Sequence, residues 1–219
     1  MKPEAGDADF AYDLPMMDFK TVSRAAECEY IEKRSRFIAC VMPVSSEADA
    51  LLFMNTVKKR YFGARHHVYA YSLRENNTKR FSDDGEPPGT AGLPVLTVLE
   101  REEVTDCALV VARIFGGILL GAAGLVRAYA HAAKMGLDAA GVVLKKGAYL
   151  LEVMCDYSFY ARLEALVLAC GGRFGESTFS EKVCMRFVLP KADFSLFSEK
   201  IREISFGKIT PVVISETFL

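Results

Sequence analysis

The sequence predicts an α+β fold with two domains, over residues 19–144 and 148–219. Short strand patterns alternate with amphipathic helix patterns along the chain. The pattern then changes after Lys145 and Lys146, and the last third has the order strand, helix, strand, strand, helix, strand, which is ferredoxin-like (βαββαβ). A chain of 219 residues is long enough for two such domains. The first 18 residues are acidic and predict a mobile leader.

The N-terminal domain begins with three short strands, over residues 19–25, 27–31 and 36–44, which are expected to start an antiparallel sheet. Ser45 or Ser46 then caps a helix that runs to about Tyr61, with basic residues in its final turns. The remaining predicted elements are a strand over 67–73, a helix over 91–100, a strand over 107–115 and a helix over 121–137.

The C-terminal domain is predicted to follow a linker over residues 144–147. Its elements are a strand over 149–155, a helix over 159–169, strands over 173–179 and 182–189, a helix over 192–204 and a strand over 208–215. Gly171 and Gly172 end the first of these helices, and Gly207 ends the second.

Composition and charge exclude several classes of protein. Residues 114–126 form one of the two longest uncharged runs, but this run contains four glycines and is shorter than the roughly 20 apolar residues of a membrane span. The N-terminus lacks a basic stretch followed by an apolar one, so a cytoplasmic protein is expected. The net charge of −1 gives no general basic excess, and no DNA binding is predicted. Any RNA contact must be local, for example at Lys58–Arg60 with Arg65, and the alternative for that cluster is a solvated helix end.

The six cysteines predict buried thiols, since most of them lie in apolar segments. They lack the spacing of a zinc site, and the three histidines have no cysteine nearby. No metal site and no disulfide are predicted.

An acidic segment follows the strand that ends near Leu73. Asp83, Asp84 and Glu86 surround Gly85, and their carboxylates are suitable ligands for Mg²⁺ or Ca²⁺. Asp-Gly followed by two prolines is also typical of a tight turn, which is the favoured interpretation. With His66 and His67 as candidate bases, the same residues define a possible acidic site for a hydrolase, although the sequence contains no recognisable catalytic motif.

Two glycine-rich segments precede helices. Gly89, Thr90 and Gly92 lie where a helix begins, so this segment predicts either a helix cap or an anion site. The second segment has the glycines at 116, 117, 121 and 124, and it matches neither a P-loop nor a dinucleotide-binding motif. No cofactor is therefore predicted, and close packing of backbone on backbone is an alternative reason for these glycines.

One polar stripe lies on the helix that follows the second glycine segment. Arg127, His131 and Lys134 are spaced at i, i+4 and i+7, so they share one face of that helix. Such a stripe is either a contact for an anionic partner or a solvated face.

The motifs together resemble those of a known family. Residues 36–39 (RFIA), the alternating segment 64–71, SDDGEPPGTAGLPVL from Ser82 and RIFGGILLGAAGLVRAY from Arg113 occur in the order typical of the IMPACT family. The resemblance covers roughly residues 20–140. The βαββαβ module fits the second domain of the bacterial branch.

The resemblance implies a fold and a cellular context. It implies that the first domain is ribosomal protein S5 domain 2-like, and that the two-domain arrangement is similar to the last domains of elongation factor G. Eukaryotic relatives regulate a stress kinase that controls translation initiation. The implied partners are therefore the ribosome, RNA or a translation-associated protein, but similarity of fold alone does not establish a function.

The leading hypothesis is a non-enzymatic binding protein linked to translation or its stress control. Its predicted contact surface comprises Gly89, Thr90, Gly92, Arg113, Gly116, Gly117, Gly121, Gly124, Arg127 and His131. The alternative is a small-molecule hydrolase or anion-binding protein that uses Asp83, Asp84, Glu86, His66 and His67. A third possibility makes the second domain a dimerisation or docking module.

The sequence also departs from the pattern of the family. Leu93 and Leu119 stand where bacterial members typically have lysines, and Ile114 replaces an aromatic residue. If those lysines bind phosphate, this protein should bind anions more weakly or prefer another ligand.

Overall fold

The computed structural model describes residues 17–219. They form two compact units, one from Phe19 to Lys145 and the other containing Lys146 to Leu219. Both units combine helices with antiparallel sheets, so the α+β fold class is confirmed. The predicted acidic leader lies outside the described residues, apart from Met17 and Asp18.

The first unit contains seven β-strands and three α-helices among the described residues. In chain order they are β1 (Phe19–Val22), β2 (Ala26–Glu32), β3 (Ser35–Pro43), α1 (Glu47–Arg60), β4 (His66–Ser72), β5 (Lys79–Ser82), α2 (Gly92–Arg101), β6 (Cys107–Ile114), α3 (Ala122–Ala140) and β7 (Val142–Lys145).

A five-stranded antiparallel sheet with the order β2-β3-β6-β4-β5 organises this unit. The central strand β6 is buried along almost its whole length, as expected of a strand covered on both faces. Val95 of α2 and Leu137 of α3 belong to the core on one face, whereas Met54 of α1 belongs to the core on the other. The strands β4 and β6 therefore lie between two packed layers.

Local chemistry accounts for the ends of α1. The Ser46 hydroxyl accepts from the Asp49 N–H, and the Asp49 carboxylate accepts from the Ser46 N–H, which is a complete capping box. The last turn carries Lys58, Lys59 and Arg60, where basic side chains suit the negative end of the helix dipole. The predicted cap and length of this helix are thus confirmed.

Three features of the first unit differ from the prediction. The strand β1 pairs antiparallel with β7, with Phe19 in register with Lys145, and does not belong to the sheet that contains β2 and β3. Residues 142–145 are therefore a strand, where a linker over 144–147 was expected. The short edge strand β5 was not predicted, since its sequence, KRFS, has almost no apolar alternation.

The second unit has the predicted βαββαβ order. Its elements are β8 (Gly147–Cys155), α4 (Tyr157–Ala169), β9 (Arg173–Phe179), β10 (Val183–Pro190), α5 (Phe194–Ile204) and β11 (Val212–Phe218). The antiparallel sheet has the order β11-β8-β10-β9, and Leu163 of α4 and Phe197 of α5 pack with Phe187 in its core. The ferredoxin-like prediction is confirmed, although the last strand begins at Val212 instead of residue 208.

Among the described residues, none of the helices combines the length and the apolar character that crossing a bilayer requires.

Candidate functional site

The acidic turn and the second glycine segment meet at a cleft of about 390 Å³ in the first unit. The start of β4, the end of β6, the turn at residues 85–87 and the loop entering α3 form its walls. Charged, aromatic and apolar side chains line the cleft, among them Arg65, His66, Glu86, Arg113, Phe115 and Leu119. The fold thus brings the two sequence motifs together at one place.

A buried ion pair forms one wall of the cleft. Arg113 donates from Nη1 to Oε1 of Glu86 at 2.6 Å, and the two side chains are only 7% and 4% exposed. The Tyr129 hydroxyl donates to the same carboxylate oxygen at 2.7 Å. Burial, and then the charge of Glu86, raise the pKa of Tyr129, so this residue stays a phenol donor. The Arg113 Nε is buried and has no hydrogen-bond partner among the described residues.

His66 lies beside this pair. Its Nδ1 is 2.8 Å from the carbonyl oxygen of Asp84, and its Nε2 is 3.9 Å from Oε1 of Glu86. Because a carbonyl oxygen can only accept, Nδ1 must carry a proton. The other ring nitrogen is then turned toward the carboxylate at the cleft.

The Asp83 carboxylate is occupied by backbone donors. It accepts from the N–H groups of Gly89, Ala91 and Gly92 at 2.9, 3.0 and 2.7 Å. This carboxylate therefore sits at the N-terminus of α2, where an external anion was predicted as one possibility. Thr90 is buried, and its hydroxyl donates to the carbonyl of Pro87 at 2.7 Å.

Asp84 and His67 are bonded to other groups as well. Asp84 Oδ2 accepts from the His67 N–H at 2.6 Å, and its Oδ1 pairs with Lys58 at 3.4 Å. His67 Nε2 lies 2.9 Å from the carbonyl of Tyr61. Of the five residues proposed for an acidic site, only Glu86 and His66 line the cleft.

The glycines of the second segment serve different purposes. A Cβ on Gly116 would lie 2.0 Å from the carbonyl carbon of Arg34, so this glycine is required by close packing on the β2–β3 turn. Gly117 and Gly121 have φ values of 86° and 73°, and neither has an atom within 4 Å of a Cβ position. They are required by the backbone conformation instead. Gly124 lies close to Leu120, whose Cβ is 3.0 Å from its Cβ position.

The N-terminus of α3 lies at the cleft without a cap. Gly121 is the N-cap residue, and within residues 17–219 no side chain makes a capping bond to this end of the 19-residue helix. Since Gly121 and Ala122 line the cleft, the positive end of the helix dipole is directed at it. Arg65 is exposed at the same cleft and forms no ion pair with any described residue.

The polar stripe of α3 lies elsewhere. Leu125 and Tyr129 face the core, and Arg127 is two residues from each, which places it about 160° away around the helix. Arg127 and His131 are exposed, and the His131 ring packs edge-on against Tyr30 at 4.5 Å. Of the predicted contact surface, Arg113 and Gly121 therefore line the cleft, whereas Arg127 and His131 lie on a separate helix face.

Metal and thiol chemistry have little support at this site. The part of the chain that the structure describes contains no group of three His, Cys, Asp or Glu placed to hold a metal ion. Cys40 and Cys107 are buried, and burial raises the pKa of each thiol to about 12. Both thiols are consequently protonated and unreactive near neutral pH.

Comparisons with known proteins identify the family. The Impact N-terminal domain model matches residues 33–137, and a model described as a domain of unknown function, DUF1949, matches residues 153–208. The chain is 37% identical over 189 residues to the IMPACT family member YvyE of Bacillus subtilis, which covers 86% of this chain and 87% of that protein. The chain belongs to the IMPACT family.

Two further comparisons cover both domains of this IMPACT family chain. The IMPACT family member YigZ of Escherichia coli is 34% identical over 187 residues, covering 84% of this chain and 92% of that protein. A crystal structure described only as that of a hypothetical protein matches with a TM-score of 0.58 and 32% identity, over 91% of this chain and 98% of that chain. The predicted family and its two-domain bacterial branch are thereby confirmed.

Sequence reasoning did not assign Tyr129 to the site and named Arg65 only as part of a basic cluster. Tyr129 lies at helical spacing from Leu125, which would have indicated the buried face of α3, but its contact with Glu86 is between residues 43 apart. Arg65 reaches the cleft because its N–H pairs with the carbonyl of Arg113, which is also a long-range contact.

Proposed function

We propose that this IMPACT family member is a non-enzymatic, cytoplasmic binding protein linked to translation or its stress regulation, and that its first-unit cleft takes a phosphate group of RNA. Family membership supports the link to translation. The observation that carries the binding mode is the uncapped N-terminus of α3 at the same cleft as Arg65 and Arg113. The ribosome and translation-associated proteins are the other partners considered.

The charge at the cleft favours an anion. Glu86 neutralises Arg113, so the unpaired Arg65 and the helix dipole leave a positive balance. An anion at a helix N-terminus gains about 0.3–1 kcal/mol, and an exposed ion pair adds roughly as much. One phosphate would thus bind weakly, and useful affinity requires a polymer that makes several contacts.

The cleft also offers apolar surface. Phe115 and Leu119 are 38% and 81% exposed at its edge. A nucleotide combines an anionic phosphate with a flat apolar base, and both features match this lining. A purely inorganic anion would leave Phe115 and Leu119 in water.

The hydrolase alternative has one supporting observation, the 3.9 Å approach of His66 to Glu86 at the cleft. Its other proposed groups, Asp83, Asp84 and His67, are engaged in bonds to backbone or to Lys58. Turnover of a panel of phosphate esters that is abolished by His66→Gln would favour this alternative.

The test is co-sedimentation with ribosomes and with bulk RNA at low and high salt. We compare the wild type with Arg65→Ala, and use Arg127→Ala as a control with the same charge change on the other face of α3. Binding that is salt-sensitive and weakened by Arg65→Ala alone supports the proposal.

Two outcomes would overturn it. Absence of association at both salt concentrations removes the link to ribosomes and RNA. Weakening by Arg127→Ala, with Arg65→Ala unchanged, moves the contact to the exposed face of α3 and away from the cleft.

A further inference from the structure

The second unit contains its own charged cleft, of about 400 Å³. It lies where β8 ends and α4 begins, next to the β9–β10 turn and the segment after α5. Arg162, Lys182 and Lys208 line it and are exposed, whereas Asp156 is the only acidic residue of its lining. Three cations therefore face one carboxylate.

These three cations form no ion pair with any residue that the structure describes. In the described part of the second unit, the side-chain ion pairs are Arg186 with Glu152 and Lys191 with Glu216. Arg162, Lys182 and Lys208 form none, although the unit has acidic residues that pair with other cations. Their charge is consequently available to a ligand.

The N-terminus of α4 adds positive potential at the same place. Asp156 is the N-cap residue, but its side chain makes no capping bond. Ser158 and Arg162 are spaced at i, i+4 on the face of α4 that lines the cleft. The N-terminus of α4 and a guanidinium thus both lie at this cleft.

An exposed aromatic ring stands at the edge of this cleft. Phe206 is 90% exposed and lines the cleft. Its φ of 54° is in the left-handed region, where a bulky side chain costs about 1–2 kcal/mol, and Gly207 follows at 75°. The left-handed backbone belongs to the C-terminal cap of α5, where the Gly207 N–H donates to the Arg202 carbonyl at 2.8 Å. Burial does not account for a phenylalanine at this position, and its exposed ring is available for stacking.

We propose that this cleft binds a single-stranded nucleic acid, with a phosphate against Arg162, Lys182 and Lys208 and a base stacked on Phe206. Unpaired cations and an exposed aromatic ring are the two elements of single-strand recognition. The site is on the other unit from the cleft considered above and uses none of its residues. It is therefore independent of that proposal.

The test measures binding of the full chain to a labelled oligouridine of about 12 nucleotides by fluorescence anisotropy over a salt series. Phe206→Gly removes the ring and also relieves the backbone strain, so the fold should be kept. We expect at least about fivefold weaker binding with little change in Tm.

The charge is tested by Lys182→Gln. Removing one phosphate contact should reduce the slope of log K against log salt by about 0.7. Lys200→Gln is the matched control, because Lys200 is also exposed and unpaired among the described residues but does not line the cleft. The control should bind as the wild type does.

A DNA strand, oligothymidine, is compared with oligouridine in the same assay. Equal affinity for the two assigns the site to single strands of both DNA and RNA, and higher affinity for oligouridine assigns it to RNA. The proposal is overturned if Phe206→Gly and Lys182→Gln both bind normally. It is also overturned if free uridine monophosphate competes as well as the oligomer, or if vesicles containing phosphatidylserine bind at this site and the oligomer does not.

Parallel measurement of Arg65→Ala keeps the two proposals apart. Loss of binding with Arg65→Ala but not with Phe206→Gly leaves the first cleft as the contact and overturns this inference. Loss of binding with Phe206→Gly but not with Arg65→Ala supports this inference and excludes the first cleft as the contact for the oligomer.

Discussion

Arg113 at the end of β6 donates to Glu86 in the acidic turn at 2.6 Å, and both side chains are buried. Tyr129 of α3 donates to the same carboxylate oxygen. One carboxylate therefore joins the sheet, the turn that precedes α2 and the helix α3. This contact links the end of β6 and the acidic turn, which form two walls of the first cleft, to α3.

We expect Glu86→Gln to destabilise the protein by about 3–5 kcal/mol, because it leaves the Arg113 guanidinium buried without a counterion. The free energy of unfolding in urea measures the loss. The control is Glu100→Gln, which breaks the exposed pair with Lys79 and should cost less than about 1 kcal/mol.

Adding Arg113→Met to Glu86→Gln should recover part of that stability, since the uncompensated charge is then gone. A double variant that is less stable than Glu86→Gln alone would show that the pair is not the main coupling between these elements.

Asp83→Ala should destabilise the protein by about 1–3 kcal/mol, because three backbone N–H groups at the start of α2 lose their acceptor. Asp156→Ala is the matched control, since Asp156 is the N-cap residue of α4 but makes no side-chain cap bond. The free energy of unfolding in urea is measured for both variants and compared with that of the wild type. Equal losses would contradict the special role of Asp83.

Gly116→Ala should destabilise the protein by more than about 3 kcal/mol, because the new Cβ would lie 2.0 Å from the backbone of Arg34. In Gly117→Ala the new Cβ has no atom within 4 Å, so the cost is that of an alanine at a φ of 86°, about 1–2 kcal/mol. Gly63→Ala has neither problem and should be close to neutral. Thermal unfolding should rank the three variants in this order, and a stable Gly116→Ala would refute the packing argument.

Local sequence patterns predicted most of the helices and strands, for physical reasons. The capping serines and basic last turn of α1 and the βαββαβ order of the second unit are local signals. The pairing of β1 with β7 joins residues about 120 positions apart, for example Val22 with Val142, and no local pattern encodes it. Because β7 is defined by this long-range pairing, the sequence predicts a linker over residues 144–147 instead of a strand.

The candidate site was predictable as two motifs but not as an arrangement. The sequence placed three carboxylates near Gly85, yet their destinations differ: Asp83 caps α2, Asp84 bonds to β4 and Glu86 is buried with Arg113. These differences follow from tertiary packing, which composition and residue spacing do not encode. Arg127 was grouped with the cleft because it is close in sequence, although helix geometry places it on another face.

The free energy of unfolding should fall as the pH rises from about 9 to about 12. Burial raises the pKa of the Cys107 thiol to about 12, so its contribution is complete below the ordinary thiol pKa and is lost as the pH approaches the folded value. Burial also raises the pKa of Tyr129 and Tyr71, which act in the same direction.

Cys107→Ala should reduce this pH dependence by up to about 1.4 kcal/mol per pH unit, measured by urea unfolding between those limits. Cys184→Ala, at a half-buried thiol, is the control and should alter the dependence less. A pH dependence that is unchanged in Cys107→Ala would assign the alkaline loss to the tyrosines.

Leu119→Lys should strengthen the binding of RNA. Leu119 is 81% exposed at the first cleft, so the new ammonium would join Arg65 near the N-terminus of α3. One added phosphate contact should steepen the salt dependence of log K by about 0.7, and affinity should rise most at low salt.

Leu93→Lys is the control, because Leu93 is exposed but does not line the cleft. Anisotropy titrations over a salt series measure both variants. If Leu93→Lys gains as much as Leu119→Lys, the added charge acts through the general field of the protein, and the first cleft is not where the phosphate binds.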